Sequence, residues 1–282
     1  MSPLQSSAAD SAANAVAARV AVLEALRLGL ERQPSLAPGL EVNAAFGKLV
    51  ELCLHCPAED ADQVMEVLNR SGSTEAIRAL CATGEIELEK AWAARVIEGE
   101  GRAELRRFPY FENYVDLVRL ELGVVNALSP RPIARAAFLG SGPLALSAIT
   151  MSEHYGMSVT GFDRDETAVT LANRVSRRLG IESLVRSKHA DAQRLQPTDL
   201  AEYDLVCLAA MVGTDEQSKR TLMTALHQAM VPGQLLLVRS AHRLRQLLYS
   251  AIDVDKLAGF MPLAELHPHN EVVNSFFVLQ RV

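Results

Sequence analysis

The sequence predicts an α/β fold in which an all-helical N-terminal region precedes a doubly wound, mostly parallel sheet. Three observations carry this prediction. Apolar strand-like runs alternate with helical segments in the C-terminal half, and the first of these runs breaks into a glycine-containing turn at Gly140–Leu144. The N-terminal third is rich in Ala and Leu, which favours helices there. At 282 residues, the chain can form one large domain or two modest ones.

The helical region is predicted to end at the segment Ser129-Pro130-Arg131-Pro132. Two prolines within three residues cannot continue a helix, so this segment marks a domain boundary. The domains are therefore residues 1–128 and 129–282. Helical patterns before the boundary cover Ala8–Leu30, Val42–Cys56, Asp60–Asn69, Glu75–Ile97 and Glu112–Leu128.

After the boundary the hydrophobic period changes to that of strands. Strands are predicted at Ala136–Gly140, Ser158–Phe162, Leu184–Lys188, Leu205–Ala210 and Gln234–Val238, with a last one in the tail Glu271–Val282. Helices between them are predicted at Leu144–Glu153, Glu166–Leu179 and Gln217–Met230. Strands that alternate with helices form a parallel sheet with helices on both faces.

Composition excludes several classes of function. The net charge is −6, with 28 basic and 34 acidic residues and no basic run, so neither a nucleic acid nor an anionic membrane is an expected partner. No apolar run is long enough to span a bilayer and no secretory signal is visible, so a cytoplasmic location is expected. Cys53 and Cys56 form a CxxC pair, but no second pair completes a metal site, and we interpret them as apolar helix residues.

The glycine turn predicts a site for a small nucleotide-like ligand. Gly140, Ser141 and Gly142 follow an apolar strand, and glycine lets the backbone approach a ligand closely. Pro143 and Leu144 come next, and Pro143 suits the first position of a helix whose N-terminus faces the ligand. Because the spacing is shorter than that of a dinucleotide site, S-adenosylmethionine is the first candidate.

Residues that end the later strands complete this predicted cofactor site. Asp163 lies 21 residues after Gly142, an offset at which an acid accepts the ribose hydroxyls; the alternative is that it caps the helix beginning near Glu166. Asp191 can accept the exocyclic amine of adenine. The remaining candidates are neighbours of these two acids and the small residues after the fourth strand, namely Arg164, Ala192, Ala209, Ala210 and Met211.

Several motifs together resemble the nicotianamine synthase family, especially its bacterial relatives that build opine-type metallophores of the staphylopine and pseudopaline kind. The motifs occur in family order from about Gly84 to the C-terminus. They are Phe108–Tyr114, Phe138–Leu144, Leu208–Gly213, Arg239–His242, His267-Pro268 and Glu271–Ser275.

The resemblance implies a reaction in which S-adenosylmethionine is a co-substrate. The family transfers its 3-amino-3-carboxypropyl (aminobutyrate) group to an amine and releases methylthioadenosine. The bacterial relatives imply histidine as the acceptor, with L-histidine favoured, and an opine dehydrogenase that acts on the product. Plant relatives make repeated transfers to form nicotianamine. The sequence does not exclude a homodimer.

Transfer to an amine requires a general base, because a protonated amine is not a nucleophile. Glu87 shares a helix row with the small and apolar residues Leu80, Gly84, Ala91 and Ala94, where a carboxylate would be partly desolvated. By resemblance, Glu87 is the first candidate for the catalytic glutamate and Glu89 the second. From periodicity alone, solvent-exposed carboxylates are the better interpretation.

Other predicted site residues orient the reactants. By resemblance, Tyr114 is the better functional tyrosine and Tyr110 the second, while Phe111 stands where many relatives have another tyrosine. Arg239 follows the fifth strand and suits bidentate binding of a carboxylate, the alternative being a surface ion pair. The predicted substrate-binding set is completed by Glu89, His242, Tyr249 and Asn274, whereas His267 and His269 are interpreted as loop residues.

Two other functions share the same fold motifs. A small-molecule methyltransferase would use the same glycines and acids but release S-adenosylhomocysteine. A non-catalytic ligand-binding module would bind the ligand without turnover. The Glu87 and Tyr110–Tyr114 elements favour the aminobutyrate transferase.

Overall fold

The computed structural model describes residues 3–213, 215–254 and 257–282. The chain folds into two compact units. The first comprises the residues up to Glu87 together with His242–Tyr249, and the second comprises Leu88–Ala241 and Ser250–Val282. The predicted boundary between residues 128 and 129 lies inside the second unit and stays a prediction.

The first unit is helical, as predicted. Its helices are α1 (Pro3–Glu31), α2 (Leu40–His55), α3 (Ala58–Ser71) and the first part of α4 (Ser73–Glu98). In α3 the residues Ala61, Val64, Met65 and Leu68 are buried, and this spacing of three and four places them on one face of the helix. Gly72, in the left-handed conformation at φ 75°, ends that helix.

One glycine of α4 provides room for an aromatic ring of α2. A Cβ added at Gly84 would overlap the ring of Phe46 at its Cζ and Cε2 atoms. The neighbouring Gly47 of α2 has nothing within 4 Å of the equivalent position. The helix passes through Gly84 without interruption, so this glycine allows close packing rather than weakening the helix.

Alanine substitutions at these two glycines should have opposite effects on stability. Gly47→Ala should raise the free energy of unfolding by about 0.5–1 kcal/mol, because alanine has the better helix propensity. Gly84→Ala should lower it, because overpacking against Phe46 costs about 1–3 kcal/mol and outweighs the same propensity gain. Urea unfolding of both variants measures the difference. Equal stabilisation by the two substitutions would contradict the packing of Phe46 against Gly84.

The second unit contains a seven-stranded sheet with the strand order β3-β2-β1-β4-β5-β7-β6. Strands β1 to β5 are parallel, whereas β7 runs antiparallel to β5 and β6 antiparallel to β7. The strands are β1 (Arg135–Leu139), β2 (Ser158–Asp163), β3 (Val185–His189), β4 (Leu205–Leu208), β5 (Leu235–Ser240), β6 (Phe260–Leu266) and β7 (Ser275–Arg281).

Helices cover both faces of this sheet, which confirms the doubly wound prediction. Alternate residues of the central strands enter two separate apolar clusters, one with Phe138 and Leu237 and the other with Leu139 and Leu236. The helices of the second unit are the end of α4, α5 (Arg102–Arg106), α6 (Phe111–Leu128), α7 (Leu146–Tyr155), α8 (Glu166–Leu179), α9 (Pro197–Leu200) and α10 (Glu216–Ala229).

Helix α8 shows why some boundaries follow directly from the sequence. Asp165 caps its N-terminus by accepting a hydrogen bond from the Thr167 amide, at 2.9 Å. Gly180, at φ 72°, ends it in the left-handed conformation. The observed bounds are the predicted ones. Within the part of the chain that the structure describes, no helix is both long and apolar enough to cross a membrane.

Candidate active site

The candidate site lies at the carboxyl ends of the parallel strands of the second unit. The chain leaves the sheet in opposite directions from β1 and β4, and ligands of doubly wound sheets bind at such a switch point. Here the turn after β1 meets the loop after β4. A Cβ added at Gly140 would overlap Val212 and would lie 3.3 Å from the Cβ of Ala209.

The turn after β1 depends on two glycines. Gly140 has φ 77° and Gly142 has φ 68°, values that side chains rarely adopt. A Cβ on Gly142 would also overlap the Oε2 atom of Glu89. Glycine is therefore required here both by the backbone conformation and by the close approach of a carboxylate.

The prediction that Pro143 opens the following helix is wrong. Gly142, Pro143 and Leu144 form a turn, Ala145 has a positive φ of 51°, and α7 begins only at Leu146. The turn directs the Leu144 amide toward Glu89 Oε2, at 3.4 Å, and an α-helix beginning at Pro143 would not leave Ala145 left-handed. Pro143 thus shapes the turn, and the predicted contribution of Ser141 and Pro143 to ligand binding stays a prediction.

Glu89 brings a buried carboxylate to this turn. Its side chain is buried, with 7% of the residue exposed. Oε2 lies 3.4 Å from the Leu144 amide, and Oε1 lies 3.4 Å from the Tyr114 hydroxyl. The arrangement places a desolvated carboxylate, a phenol and a glycine turn together.

Glu87 lies on another side of the same helix. Residues two apart in an α-helix project about 200° from each other, so Glu87 and Glu89 leave α4 on different sides. The described contacts place Glu89 at the turn, and the predicted catalytic role of Glu87 stays a prediction.

Asp163 supports the turn from the end of β2. Its Oδ2 accepts a hydrogen bond from the Gly142 amide at 2.9 Å, and its Oδ1 accepts one from the Asp165 amide at 3.0 Å. The cap of α8 is Asp165, so Asp163 does not have the alternative role of helix cap. Asp163 is only part-buried, and its predicted contact with a ribose stays a prediction.

Replacing Asp163 with alanine should weaken donor binding more than it weakens the fold. The variant loses both the carboxylate that orients the Gly142 amide and the predicted ribose acceptor, so we expect the dissociation constant for S-adenosylmethionine to rise about tenfold or more. Isothermal titration calorimetry measures it. Asp165→Ala is the matched control, because it removes only the cap of α8. Unchanged donor affinity in Asp163→Ala would contradict the assignment.

The other predicted cofactor residues lie at the same edge of the sheet. Asp191 follows β3 and accepts a hydrogen bond from the Gln193 amide at 3.0 Å, and Ala192 begins the short 3-10 helix beside it. Arg164 is exposed, and its carbonyl oxygen lies 3.0 Å from His189 Nε2. Ala209, Ala210 and Met211 follow β4, which ends at Leu208 rather than at Ala210.

Arg239 is not a surface residue, so the alternative of a surface ion pair is wrong. It is 6% exposed, and its Nε and Nη2 atoms donate to the Glu121 carboxylate at 2.7 and 2.9 Å. Glu121 is fully buried on α6. A carboxylate of the chain itself thus occupies the Nε and Nη2 donors, and the predicted contact of Arg239 with a substrate carboxylate stays a prediction.

The remaining predicted substrate residues are distributed over both units. In the first unit, Tyr249 donates to Glu85 Oε2 at 2.9 Å, and His242 precedes a 3-10 helix. In the second unit, Tyr110 packs edge-on against Phe108 with 6.0 Å between ring centroids, and Asn274 is buried directly before β7. Their substrate contacts stay predictions.

The sequence did not reveal two acidic residues that pair with predicted site residues. They are Glu121, the partner of Arg239, and Glu85, the partner of Tyr249. Glu121 lies two helical turns after Tyr114, among the buried residues Leu117, Val118, Leu122 and Val125. A glutamate on that apolar face was a signal of a buried ionic partner.

No metal centre is formed by the residues that the structure describes. Among them, no three His, Cys, Asp or Glu side chains come together in a way that could hold a metal ion. Burial raises the pKa of the Cys53 thiol well above its usual value and that of Cys81 to about 12. Both thiols are consequently protonated near neutral pH and poor metal ligands.

The fold and the site define a class of protein. A parallel sheet with an antiparallel β7, a glycine turn after β1 and an acid at the end of β2 is a Rossmann-like sheet of the S-adenosylmethionine-dependent methyltransferase type. The family model "Nicotianamine synthase protein" matches residues 11–282. The chain belongs to the nicotianamine synthase family.

Individual relatives agree with this assignment. The chain is 34% identical over 265 residues to nicotianamine synthase 3 of Oryza sativa subsp. indica, covering 91% of this chain and 76% of that protein. It is also 34% identical over 265 residues to nicotianamine synthase 1 of Arabidopsis thaliana, covering 90% and 81%.

Solved structures share the fold over nearly the whole chain. A glutamate-to-glutamine variant of MtNAS in complex with S-adenosylmethionine superposes with a TM-score of 0.79 at 22% identity, covering 93% of this chain and 97% of that one. MtNAS in complex with MTA and tNA gives the same TM-score and covers 95% and 97%.

Proposed function

We propose that this protein transfers the aminobutyrate group of S-adenosylmethionine to the α-amine of an amino acid and releases methylthioadenosine. The observation that carries the proposal is the buried Glu89 carboxylate, which meets both the Gly142–Leu144 turn and the Tyr114 hydroxyl. A methyltransferase sheet alone does not require a carboxylate at that place. Membership of the nicotianamine synthase family supports the same reaction.

The glycine turn fits the proposed donor. Gly140 and Gly142 give the turn positive φ values that side chains rarely adopt, and Asp163 orients the Gly142 amide. The bound donor supplies an electrophilic carbon beside its sulfonium. By the family resemblance, Gly140–Leu144, Asp163, Arg164, Asp191, Ala192 and Ala209–Met211 would hold it.

Glu89 has the role of general base in this proposal. A carboxylate buried among apolar groups and close to a phenol can accept a proton from an ammonium group that is placed beside it. Tyr114 would orient the amine, and Tyr110 would support the ring packing next to it. Glu87, the first candidate from the sequence, lies on another side of α4.

Histidine is the acceptor that we propose, with L-histidine favoured and a single transfer. This choice rests on the sequence resemblance to bacterial opine-metallophore enzymes, and an opine dehydrogenase would then consume the product. The plant relatives at 34% identity, both nicotianamine synthases, favour a second candidate, in which repeated transfers build nicotianamine.

A product assay with separate acceptors separates these candidates. Purified enzyme is incubated with S-adenosylmethionine alone, with L-histidine and with D-histidine, and products are identified by mass spectrometry. We expect methylthioadenosine together with a histidine that is heavier by one aminobutyrate unit. Nicotianamine from S-adenosylmethionine alone would favour the second candidate. S-adenosylhomocysteine would indicate a methyltransferase, and binding without turnover would indicate a non-catalytic module.

A further inference from the structure

Glu121 and Arg239 form an ion pair that is buried inside the second unit. The side chain of Arg239 is 7% exposed and that of Glu121 is not exposed at all. Two parallel hydrogen bonds join them, Nε to Oε1 at 2.7 Å and Nη2 to Oε2 at 2.9 Å. This bidentate geometry fixes the plane of the guanidinium group.

Stability alone is a weak reason for such a pair. Taking two charges out of water is costly, and replacing a buried ion pair by apolar residues is often neutral or stabilising. Burial acts to lower the pKa of Arg239, but the adjacent Glu121 carboxylate outweighs burial and raises that pKa above its usual value. The arginine therefore stays charged, and its position relative to neighbouring groups is the feature to explain.

The guanidinium contacts two rings that lead to the active site. Its Cζ atom lies 5.0 Å from the ring centroid of Phe138 and 5.9 Å from that of Tyr114. Phe138 is two residues before Gly140 on β1, and Tyr114 is two helical turns before Glu121 on α6. Both distances are within the range of a cation–π interaction.

The Tyr114 side chain is placed by its ring as well as by its hydroxyl. Its oxygen lies 3.4 Å from Glu89 Oε1, which is long for a hydrogen bond between a hydroxyl and a carboxylate. The ring itself contacts Phe108, at 6.3 Å between centroids, and the Arg239 guanidinium. These ring contacts contribute to where the hydroxyl lies.

We propose that the Glu121–Arg239 pair is a positioning device for Tyr114, and through Tyr114 for the carboxylate of Glu89. Arg239 then does not bind the substrate. The inference rests on the proposed function, in which Glu89 and Tyr114 act on the acceptor amine. It predicts an effect on kcat with little effect on the KM for S-adenosylmethionine.

A double-mutant cycle tests this proposal. The charge-free variant Glu121→Leu/Arg239→Met, the variant Tyr114→Phe and the triple variant are compared with wild type. We expect the charge-free variant to lose about tenfold or more in kcat, and Tyr114→Phe to cost much less in that background than in wild type. Equal losses from Tyr114→Phe in both backgrounds would show that the pair does not act through Tyr114.

Two controls separate positioning from a general structural effect. The ion pair Arg102–Glu153 also lies in the second unit, and Arg102 donates in addition to the Leu179 carbonyl, so Arg102→Met/Glu153→Leu should keep wild-type kcat. Arg239→Lys keeps the charge but loses the bidentate geometry, and should recover only part of the activity. Should the charge-free variant not fold, this lysine variant replaces it in the cycle.

An activity-independent measurement distinguishes failure of this inference from failure of the proposed function. The five tyrosines are labelled with ¹³C, and the Tyr114 signal is assigned by its loss in Tyr114→Phe. We expect the ¹³C chemical shift of Tyr114, and the pH at which its phenol titrates, to change in the charge-free variant. Neither should change in the Arg102–Glu153 control. An unchanged Tyr114 signal would overturn the positioning role. If wild type shows no turnover with any acceptor while the Tyr114 signal does change, the positioning contact stands and the proposed reaction fails.

Discussion

Replacing Glu89 with glutamine should reduce turnover by about a hundredfold or more while donor binding is retained. The amide keeps the size and most of the packing of the carboxylate, but it cannot accept a proton from the acceptor amine. Glu89 is buried and lies beside the Gly142–Leu144 turn and the Tyr114 hydroxyl, so the substitution removes the base where the proposed reaction needs it. Rates of methylthioadenosine formation, with S-adenosylmethionine affinity measured by calorimetry, provide the test.

Glu87→Gln is the matched control for this substitution. It makes the same chemical change two residues earlier on the same helix, where the side chain projects in a different direction. We expect Glu87→Gln to retain most of the turnover. The opposite result, a large loss in Glu87→Gln and a small one in Glu89→Gln, would restore Glu87 as the base.

Gly142→Ala should abolish both donor binding and turnover. The residue has φ 68°, and a Cβ there would overlap Glu89 Oε2, so the substitution strains the turn and displaces the candidate base together. The strain of the turn and the displacement of Glu89 together should cost more activity than either would alone. Donor affinity and the rate of methylthioadenosine release measure it.

Gly156→Ala separates backbone strain from the collision with Glu89. Gly156 has nearly the same φ, 67°, at the end of α7, but nothing lies within 4 Å of its Cβ position. That variant should lose about 1 kcal/mol of stability and keep wild-type kinetics. Equal kinetic defects in both variants would contradict the steric argument at Gly142.

The sequence correctly predicted the elements whose ends are marked by capping residues. Helix α8 begins after the capping Asp165 and ends at Gly180, and it was placed within its observed bounds. The edge strand β6 was missed, because Pro262 lies inside it beside a shift in register. The five-residue helix α5 was also missed, since so short a segment has no hydrophobic period of its own.

The sequence predicted the backbone of the candidate site better than it predicted which side chains meet there. Glycines and strand-end acids are tied to the sheet, so Gly140, Gly142 and Asp163 lie where the pattern placed them. Glu87 and Glu89 are both compatible with a helix. Only the rotation of α4 about its axis decides which of them approaches the Gly142–Leu144 turn. The partner of Arg239 is 118 residues away in sequence, so the apolar face around Glu121 could mark this glutamate as buried but could not pair it with Arg239.

A doubly labelled donor tests the central claim most directly. S-adenosylmethionine is prepared with a deuterated methyl group and a ¹³C carboxyl carbon, and the enzyme is supplied with histidine. The proposed reaction predicts ¹³C in the modified histidine and the deuterated methyl group in methylthioadenosine. A deuterated methyl group on the acceptor, with ¹³C left in S-adenosylhomocysteine, would contradict it.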